Sequence, residues 1–261
     1  VAREWRRLLV EPARLAAGAA ADQTLALAAA ESHYLRRVLR LRPGDRFAVI
    51  DGCGGLWGAR LQGPDQARLE QPLAAPLERE PAPAPLLELL VAPPRRDADV
   101  LLRMACELGM DQLTLVQAER RVAGSLALER AEAIVREACE QSERLWLPQL
   151  ALDQELAAEL DRGPAIEARC RGELRLLATT RHANLEALQQ VLASTGPDSA
   201  AAPSRVRLAI GPEGGWSAAE EQLALSRGWQ PVSLGPTILR TSTAAVAAAA
   251  QLTAWRAGLA G

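Results

Sequence analysis

The chain contains no lysine, since all 30 of its basic residues are arginines. A Schiff-base lysine and a lysine general base are therefore excluded. Histidine is nearly as scarce, with 2, and the 4 cysteines (Cys53, Cys106, Cys139 and Cys170) lie far apart with no CxxC pair. Structural zinc needs clustered ligands, so no metal is expected and the thiols read as reduced and mostly buried. No apolar run approaches the ~18 residues that span a bilayer. No signal-peptide pattern opens the chain, because Arg3, Glu4, Arg6 and Arg7 precede only a short apolar stretch. The expectation is a soluble, cytoplasmic protein without a membrane partner.

A large excess of either charge is also missing. The net charge is −2, which argues against a broadly basic nucleic-acid binder. Its distribution is uneven. Residues 1–75 hold 11 arginines against 8 acids, whereas the remainder holds 19 against 24. A modestly basic front on an acidic body is compatible with local phosphate contacts. At 261 residues and 49% apolar, one large domain or two modest ones can bury a core.

The front reads as small β structure. Leu8–Val10, Arg46–Asp51, Leu56–Leu61 and Ala67–Glu70 are candidate strands, separated by turn signals at Gly44-Asp45 and Gly63-Pro64-Asp65. Ser32–Leu41 reads as an amphipathic helix, with Leu35, Val38 and Leu39 on one face and Arg36, Arg37 and Arg40 on the other. The segment VIDGCGGLWG (Val49–Gly58) mimics a strand and glycine loop that hold a nucleotide cofactor. Such a loop needs a helix straight after it, and the alternating LWGARL that follows reads as a strand. Gly52–Gly55 is thus expected to be a hairpin loop. Prolines at 72, 76, 81, 83 and 85 mark a semi-rigid linker.

From Leu86 onward strands alternate with helices, the pattern of a parallel α/β sheet. Expected strands are Leu86–Ala92, Leu113–Gln117, Leu174–Ala178, Arg205–Ile210 and Pro231–Leu234. Expected helices are Ala98–Leu108, Leu126–Leu145, Glu155–Leu160, Asn184–Leu192 and Thr243–Ala257.

Two stretches stand out. RVRLAIGPEGGWSAAE (Arg205–Glu220) runs from an alternating strand through a glycine loop into a helix, with Ser217 and Glu220 at capping-box spacing. LGPTILRTSTA (Leu234–Ala244) repeats the logic. Both could be ordinary strand-to-helix turns. Two such loops at one edge of a parallel sheet would instead form a pocket built mainly of backbone.

Read together, IGPEGGWS..E and LG..ILRT.TA resemble the paired signature of RsmE-type 16S ribosomal RNA uridine-N3 methyltransferases, members of the knotted SPOUT superfamily. SHYLRRVLRLRPGD in the front, CELGMDQL (Cys106–Leu113), EACEQSER (ending at Arg144) and the final alanine-rich helix are similar to the same family. The resemblance covers nearly the whole chain. It implies a PUA-like RNA-binding β-barrel over 1–73, a linker over 74–85, and a SPOUT domain with a deep trefoil knot over 86–261. It also implies a homodimer, with 16S ribosomal RNA in the 30S subunit as partner and S-adenosyl-L-methionine as cofactor. Thr179, Ile210, Gly211, Gly214, Gly215, Leu234, Gly235, Ile238, Leu239 and Thr243 are the residues implied to hold that cofactor. Arg240 would steer the cofactor carboxylate or stabilise charge on the uracil. Glu213 would orient a ligand or cap the next helix. Arg7, His33, Arg36, Arg37 and Arg40 are implied RNA contacts. The chain departs from the family's LG.RILRTETA at Thr237 and at Ser242, where a neutral serine cannot act as a carboxylate base. A non-catalytic RNA-binding assembly factor and a ribose 2′-O-methyltransferase are the alternative readings.

Overall fold

The computed structural model describes residues 5–20, 22–121, 126–162, 172–180, 182, 184–195 and 203–259. Two compact units emerge: one runs to Ala82 and includes Arg136–Leu147, and the other comprises Pro83–Val135 and Pro148–Gly261.

The first unit is built on β1 (Arg7–Leu9), α1 (Pro12–Ala20), β2 (Thr24–Ala26), α2 (Ala29–His33), β3 (Arg46–Ile50), β4 (Gly55–Leu61), β5 (Gln66–Leu69) and β6 (Glu78–Arg79). The strands form one sheet in the order β1-β3-β4-β5-β2, with β6 paired to β4. Leu8, Leu25, Leu35, Phe47, Val49, Trp57 and Leu69 fill its core. The glycine stretch after β3 is a hairpin loop: Asp51 Oδ1 accepts from the N–H groups of Cys53 and Gly55 at 2.7 and 2.8 Å, and β4 returns antiparallel. The proline-rich run is interrupted by β6, which pairs with β4 between Pro76 and Pro81.

The expected helix over Ser32–Leu41 is not continuous. After α2 the chain makes a π-helical turn over Tyr34–Val38, in which Leu39 N–H donates to the Tyr34 carbonyl at 2.9 Å, and Arg40 adopts a φ of 59°. Wider winding moves the side chains off a 3.6-residue period. Leu35 is fully buried and Leu39 packs on the core, but Val38 is 59% exposed rather than on the buried face.

The second unit contains β7 (Leu86–Val91), α3 (Ala98–Leu108), β8 (Gln112–Gln117), α4 (Leu128–Gln141), β9 (Gln149–Glu155), α5 (Leu156–Asp161), β10 (Glu173–Ala178), β11 (Glu186–Ala187), α6 (Leu188–Ser194), β12 (Arg205–Ile210), α7 (Ala218–Ser226), β13 (Gln230–Ser233) and α8 (Thr241–Gly258). Residues 136–141 of α4 cluster with the first unit. The sheet order is β11-β13-β10-β12-β7-β8-β9, and every pairing is parallel. Helices cover a parallel sheet on both faces, which explains the nearly unbroken burial of LLELLV and RVRLAI.

Several boundaries differ from expectation. Helix α4 stops at Gln141 because Glu143 takes a left-handed φ of 62°. Helix α6 starts only at Leu188, since Glu186–Ala187 pair with β13 and Gln190 Oε1 accepts from Ala187 N–H at 3.2 Å. Strands β9 and β11 and helix α1 carry too little apolar alternation to read from sequence. Cys106 and Cys139 are buried and Cys53 is exposed, while Cys170 lies outside the described residues.

The segments similar to the family have structural work to do. Asp111 Oδ2 accepts from Leu87 N–H at 2.8 Å and pairs with Arg256 of α8, whose guanidinium also donates to the Gly109 carbonyl at 2.7 Å. Within the first unit, Glu140 Oε1 accepts from Leu9 N–H at 2.8 Å and Glu143 pairs with Arg7 at 3.2 Å. Within the alanine run of α8, Ala244, Ala245, Ala248 and Ala249 are buried inside the chain, Ala247 is half-buried and Ala250 is exposed. Among the described residues no helix is long and apolar enough to cross a membrane, and no group of 3 or more His, Cys, Asp or Glu could hold a metal ion.

Candidate active site

Strands β13, β10 and β12 are neighbours, so the loops leaving their carboxyl ends converge. In open parallel sheets this is where ligands bind. The glycine loop after β12 turns through Gly215, at a φ of 70°, and closes with a Gly215 N–H to Pro212 carbonyl bond of 2.8 Å. Trp216 then folds back beneath Gly211 and donates from Nε1 to the Ala178 carbonyl at 3.1 Å. A Cβ on Gly211 would meet that indole at 3.1 Å, tighter than an ordinary contact, so glycine favours this close approach. Ser217 and Glu220 form the expected capping box at the start of α7. From the loop after β8, Arg120 donates to the Trp216 carbonyl at 3.1 Å and the Gly214 carbonyl at 3.3 Å, and Glu119 N–H donates to Glu220 Oε1 at 2.7 Å.

The loop after β13 opens at Gly235, with a φ of 148°, and its Ile238 is 87% exposed. Thr241, the first residue of α8 and itself buried, donates from Oγ1 to the Gly211 carbonyl at 3.0 Å. The third loop begins at Thr179. Its N–H donates to the Val232 carbonyl at 3.1 Å and its hydroxyl to Glu221 Oε1 at 2.7 Å. His182 Nε2 stands 3.3 Å from the other oxygen, Oε2, of Glu221.

Together the loops enclose a cavity of about 340 Å³. Thr179, Ile210, Gly211, Glu213, Gly215, Leu234, Gly235, Ile238 and Leu239 line it, as do Trp216, Glu221, Thr241 and Ala244. Three residues read as part of the site do not line it. Gly214 turns its carbonyl to Arg120, Thr243 is exposed on the first turn of α8, and Arg240 is exposed at the N-cap position of that helix. Arg240, read as steering the cofactor carboxylate or stabilising charge on the uracil, precedes α8 and is exposed, whereas Thr241 lines the cavity. A second cavity of about 340 Å³ adjoins the first, sharing Thr180, Gly235, Thr237 and Ile238 and adding His182, Asn184 and Ser233.

Sequence reasoning missed Trp216, Thr241, Glu221, His182 and Arg120. Position beside a motif was the only signal for the first three, and none existed for the others. In the first unit, His33, Arg36, Arg37 and Arg40 are exposed. Arg7 is not: it is 5% exposed, donates to the Glu143 carbonyl and pairs with the Glu143 carboxylate. Its neighbours in β1 are core residues, and its charge is satisfied internally.

The lining suits a flat heterocycle laid between apolar walls. The walls are aliphatic and indole surface, and the rest is glycine backbone that a Cβ at Gly211 would crowd. Comparison with known proteins agrees. The pattern of an RNA methyltransferase domain matches residues 80–253, and that of an RNA methyltransferase PUA domain matches residues 27–70. Ribosomal RNA small subunit methyltransferase E of Synechocystis is 38% identical over 252 residues, covering 95% of this chain and 77% of that protein. The protein of the same name from Mycobacterium tuberculosis is 30% identical over 225 residues, covering 84% and 81% respectively. Among solved structures, ribosomal RNA small subunit methyltransferase E from Neisseria gonorrhoeae, bound to S-adenosyl methionine, superposes with a TM-score of 0.72 at 29% identity, over 89% of this chain and 92% of that one. A methyltransferase from Legionella pneumophila in complex with the same cofactor gives 0.74 at 25% identity, over 96% and 98%. This chain belongs to the RNA methyltransferase family of the ribosomal RNA small subunit methyltransferases E.

Proposed function

We propose that the protein transfers a methyl group from S-adenosylmethionine to small-subunit ribosomal RNA, at N3 of a uridine in the decoding region. The convergence of the β10, β12 and β13 loops on one cavity, in a chain 38% identical to a methyltransferase of that name, is the observation that carries this reading. When bound, the cofactor supplies a methyl group activated by a positively charged sulfur. Ile210, Leu234, Ile238 and Leu239 offer apolar walls to it, and Gly211, Gly215 and Gly235 let backbone approach it. Thr179 holds the third loop in register. Alignment of the two reactants accounts for much of the rate in a displacement of this kind.

The reading extends to the domain plan. Residues 1–73 bind RNA as a PUA-like unit, 74–85 connect, and 86–261 carry out catalysis, with the trefoil-knotted path of the SPOUT superfamily at the β10–β12–β13 edge. The exposed group His33, Arg36, Arg37 and Arg40 supports an RNA face on the front unit. The active form is a homodimer acting on the 30S subunit in the cytoplasm, which light scattering tests directly.

The deciding experiment is transfer of labelled methyl to 30S subunits lacking the modification, followed by nucleoside mass spectrometry. A 3-methyluridine product is expected. A 2′-O-methyl product would overturn the chemistry, and cofactor binding without transfer would favour an assembly factor. The second outcome has a motive in the sequence, because Ser242 replaces the family's glutamate and Arg240 lies outside the cavity.

A further inference from the structure

We propose that His182 accepts the N3 proton of the substrate nucleobase, and that Glu221 is its positioning residue. The inference rests on the function proposed above and assigns a group to a step that the family's motif leaves vacant in this chain.

The step needs a proton acceptor, because N3 carries a hydrogen that must leave before its electron pair is available. Position 242 is serine and the chain has no lysine. Of the described residues lining the two adjoining cavities, Glu213, Glu221 and His182 are the titratable ones. Glu213 is exposed at the rim. Both oxygens of Glu221 are committed, Oε1 to the Thr179 hydroxyl at 2.7 Å and Oε2 facing His182 at 3.3 Å. That leaves the imidazole, whose side chain is 39% exposed and lines the second cavity.

The three residues form a graded relay. Thr179, buried, fixes one oxygen of a carboxylate that is itself only 12% exposed. The carboxylate faces Nε2, so the neutral ring keeps its proton there and presents the lone pair of Nδ1. When the base gives up its N3 proton, the proton goes to Nδ1 and the electron pair stays on N3. The imidazolium so formed is stabilised by Glu221, and its exposed edge returns the proton to water. A nucleobase in the second cavity would lie against the shared walls Thr180, Gly235, Thr237 and Ile238, with the cofactor cavity on their other side. An orienting carboxylate behind a histidine base is the geometry that acid–base catalysis uses repeatedly.

The test compares the wild type with His182→Gln and Glu221→Gln, using full-length protein and 30S substrate. His182→Gln is expected to lower kcat by ~10²-fold or more, with KM for RNA and calorimetric affinity for S-adenosylmethionine unchanged, and to abolish the acidic limb of the pH–rate profile. Glu221→Gln is expected to lower kcat by less than His182→Gln does, again with cofactor affinity unchanged, and the double variant to be no slower than His182→Gln alone, because Glu221 acts only through the ring. A His182→Gln enzyme with wild-type kcat and acidic limb would overturn the proposal. So would a double variant markedly slower than His182→Gln alone. A wild type that yields a product other than 3-methyluridine is a different failure: it removes the parent reading, and the base assignment falls with it.

Discussion

The hydroxyl of Thr241 donates to the carbonyl of Gly211 at 3.0 Å, tying the first residue of α8 to the first residue of the glycine loop. This bond joins two of the three loops around the cavity and is partly buried. Thr241→Val keeps the shape and deletes the donor, leaving a partly buried carbonyl short of a partner at a cost of about 1 kcal/mol. Chemical unfolding should show that loss. Because the lost bond lies between loops, affinity for S-adenosylmethionine should fall about tenfold, the equivalent of ~1.4 kcal/mol. Undiminished affinity in calorimetry would mean that the loops are held together by packing alone.

Arg207 and Glu88 stand opposite each other on β12 and β7, both wholly buried, with Nε and Oε2 2.8 Å apart. The same guanidinium pairs with Glu159 at 2.9 Å and lies over the Trp229 ring at 5.4 Å. Glu88 also accepts from the Thr114 hydroxyl at 2.8 Å and pairs with Arg162. Arg207→Met should cost about 3–5 kcal/mol in urea unfolding, because it leaves carboxylates buried without their main partner. Adding Glu88→Met should restore part of that loss, since an apolar pair avoids the desolvation penalty. Equal stability of the single and double variants would show that Arg162 already neutralises Glu88.

These two relationships mark where sequence reading succeeds and where it stops. The run from Arg205 to Glu220 was legible because each signal is local: alternation, then glycines, then Ser217 with its capping partner Glu220. Arg207 sits in the middle of that run and an alternating reading sends it to solvent. The sheet is covered on both faces, so it is buried, and its partner is 119 positions away. Thr179 and Glu221 likewise meet across 42 positions. The π-helical turn at Tyr34–Val38 defeated a 3.6-residue count, and exposed Val38 is the result. Arg7 looked like a surface cation until Glu143 was brought to it. Local chemistry thus shows in the sequence, whereas pairing across long separations requires the fold.

Glu140 is a titrating group within the first unit. Burial raises its carboxyl to about 7, and the charges of Glu31 and Glu137 push the same way, against the Leu9 N–H and Arg136. The folded state therefore holds a proton that the unfolded chain releases near the ordinary value of 4.5. Its stabilising effect is full below that value and is lost as pH rises through about 7. Between these limits the slope from this group is at most about 1.4 kcal/mol per pH unit. Urea unfolding from pH 5 to 8 should show wild type weakening as pH rises, with Glu140→Gln much flatter over the same window. Parallel curves would place the titration in another group.

The arginines of the front unit divide into two classes, and one salt series separates them. Arg36, Arg37 and Arg40 are exposed around the π-helical turn, whereas Arg7 is buried against Glu143. Contacts to phosphate release counterions, and each contact on single-stranded nucleic acid contributes about 0.7 to the slope of log affinity against log salt. Replacing Arg36, Arg37 and Arg40 together with alanine should weaken RNA binding at low salt and flatten that slope by about two. Unfolding and S-adenosylmethionine affinity should stay at wild-type values, because none of the three reaches the cavity. Arg7→Ala should do the reverse. It deletes an ion pair and a hydrogen bond to the Glu143 carbonyl, so the protein should lose stability while the salt slope holds. A triple variant with an unchanged slope would move the RNA face off the turn that follows α2.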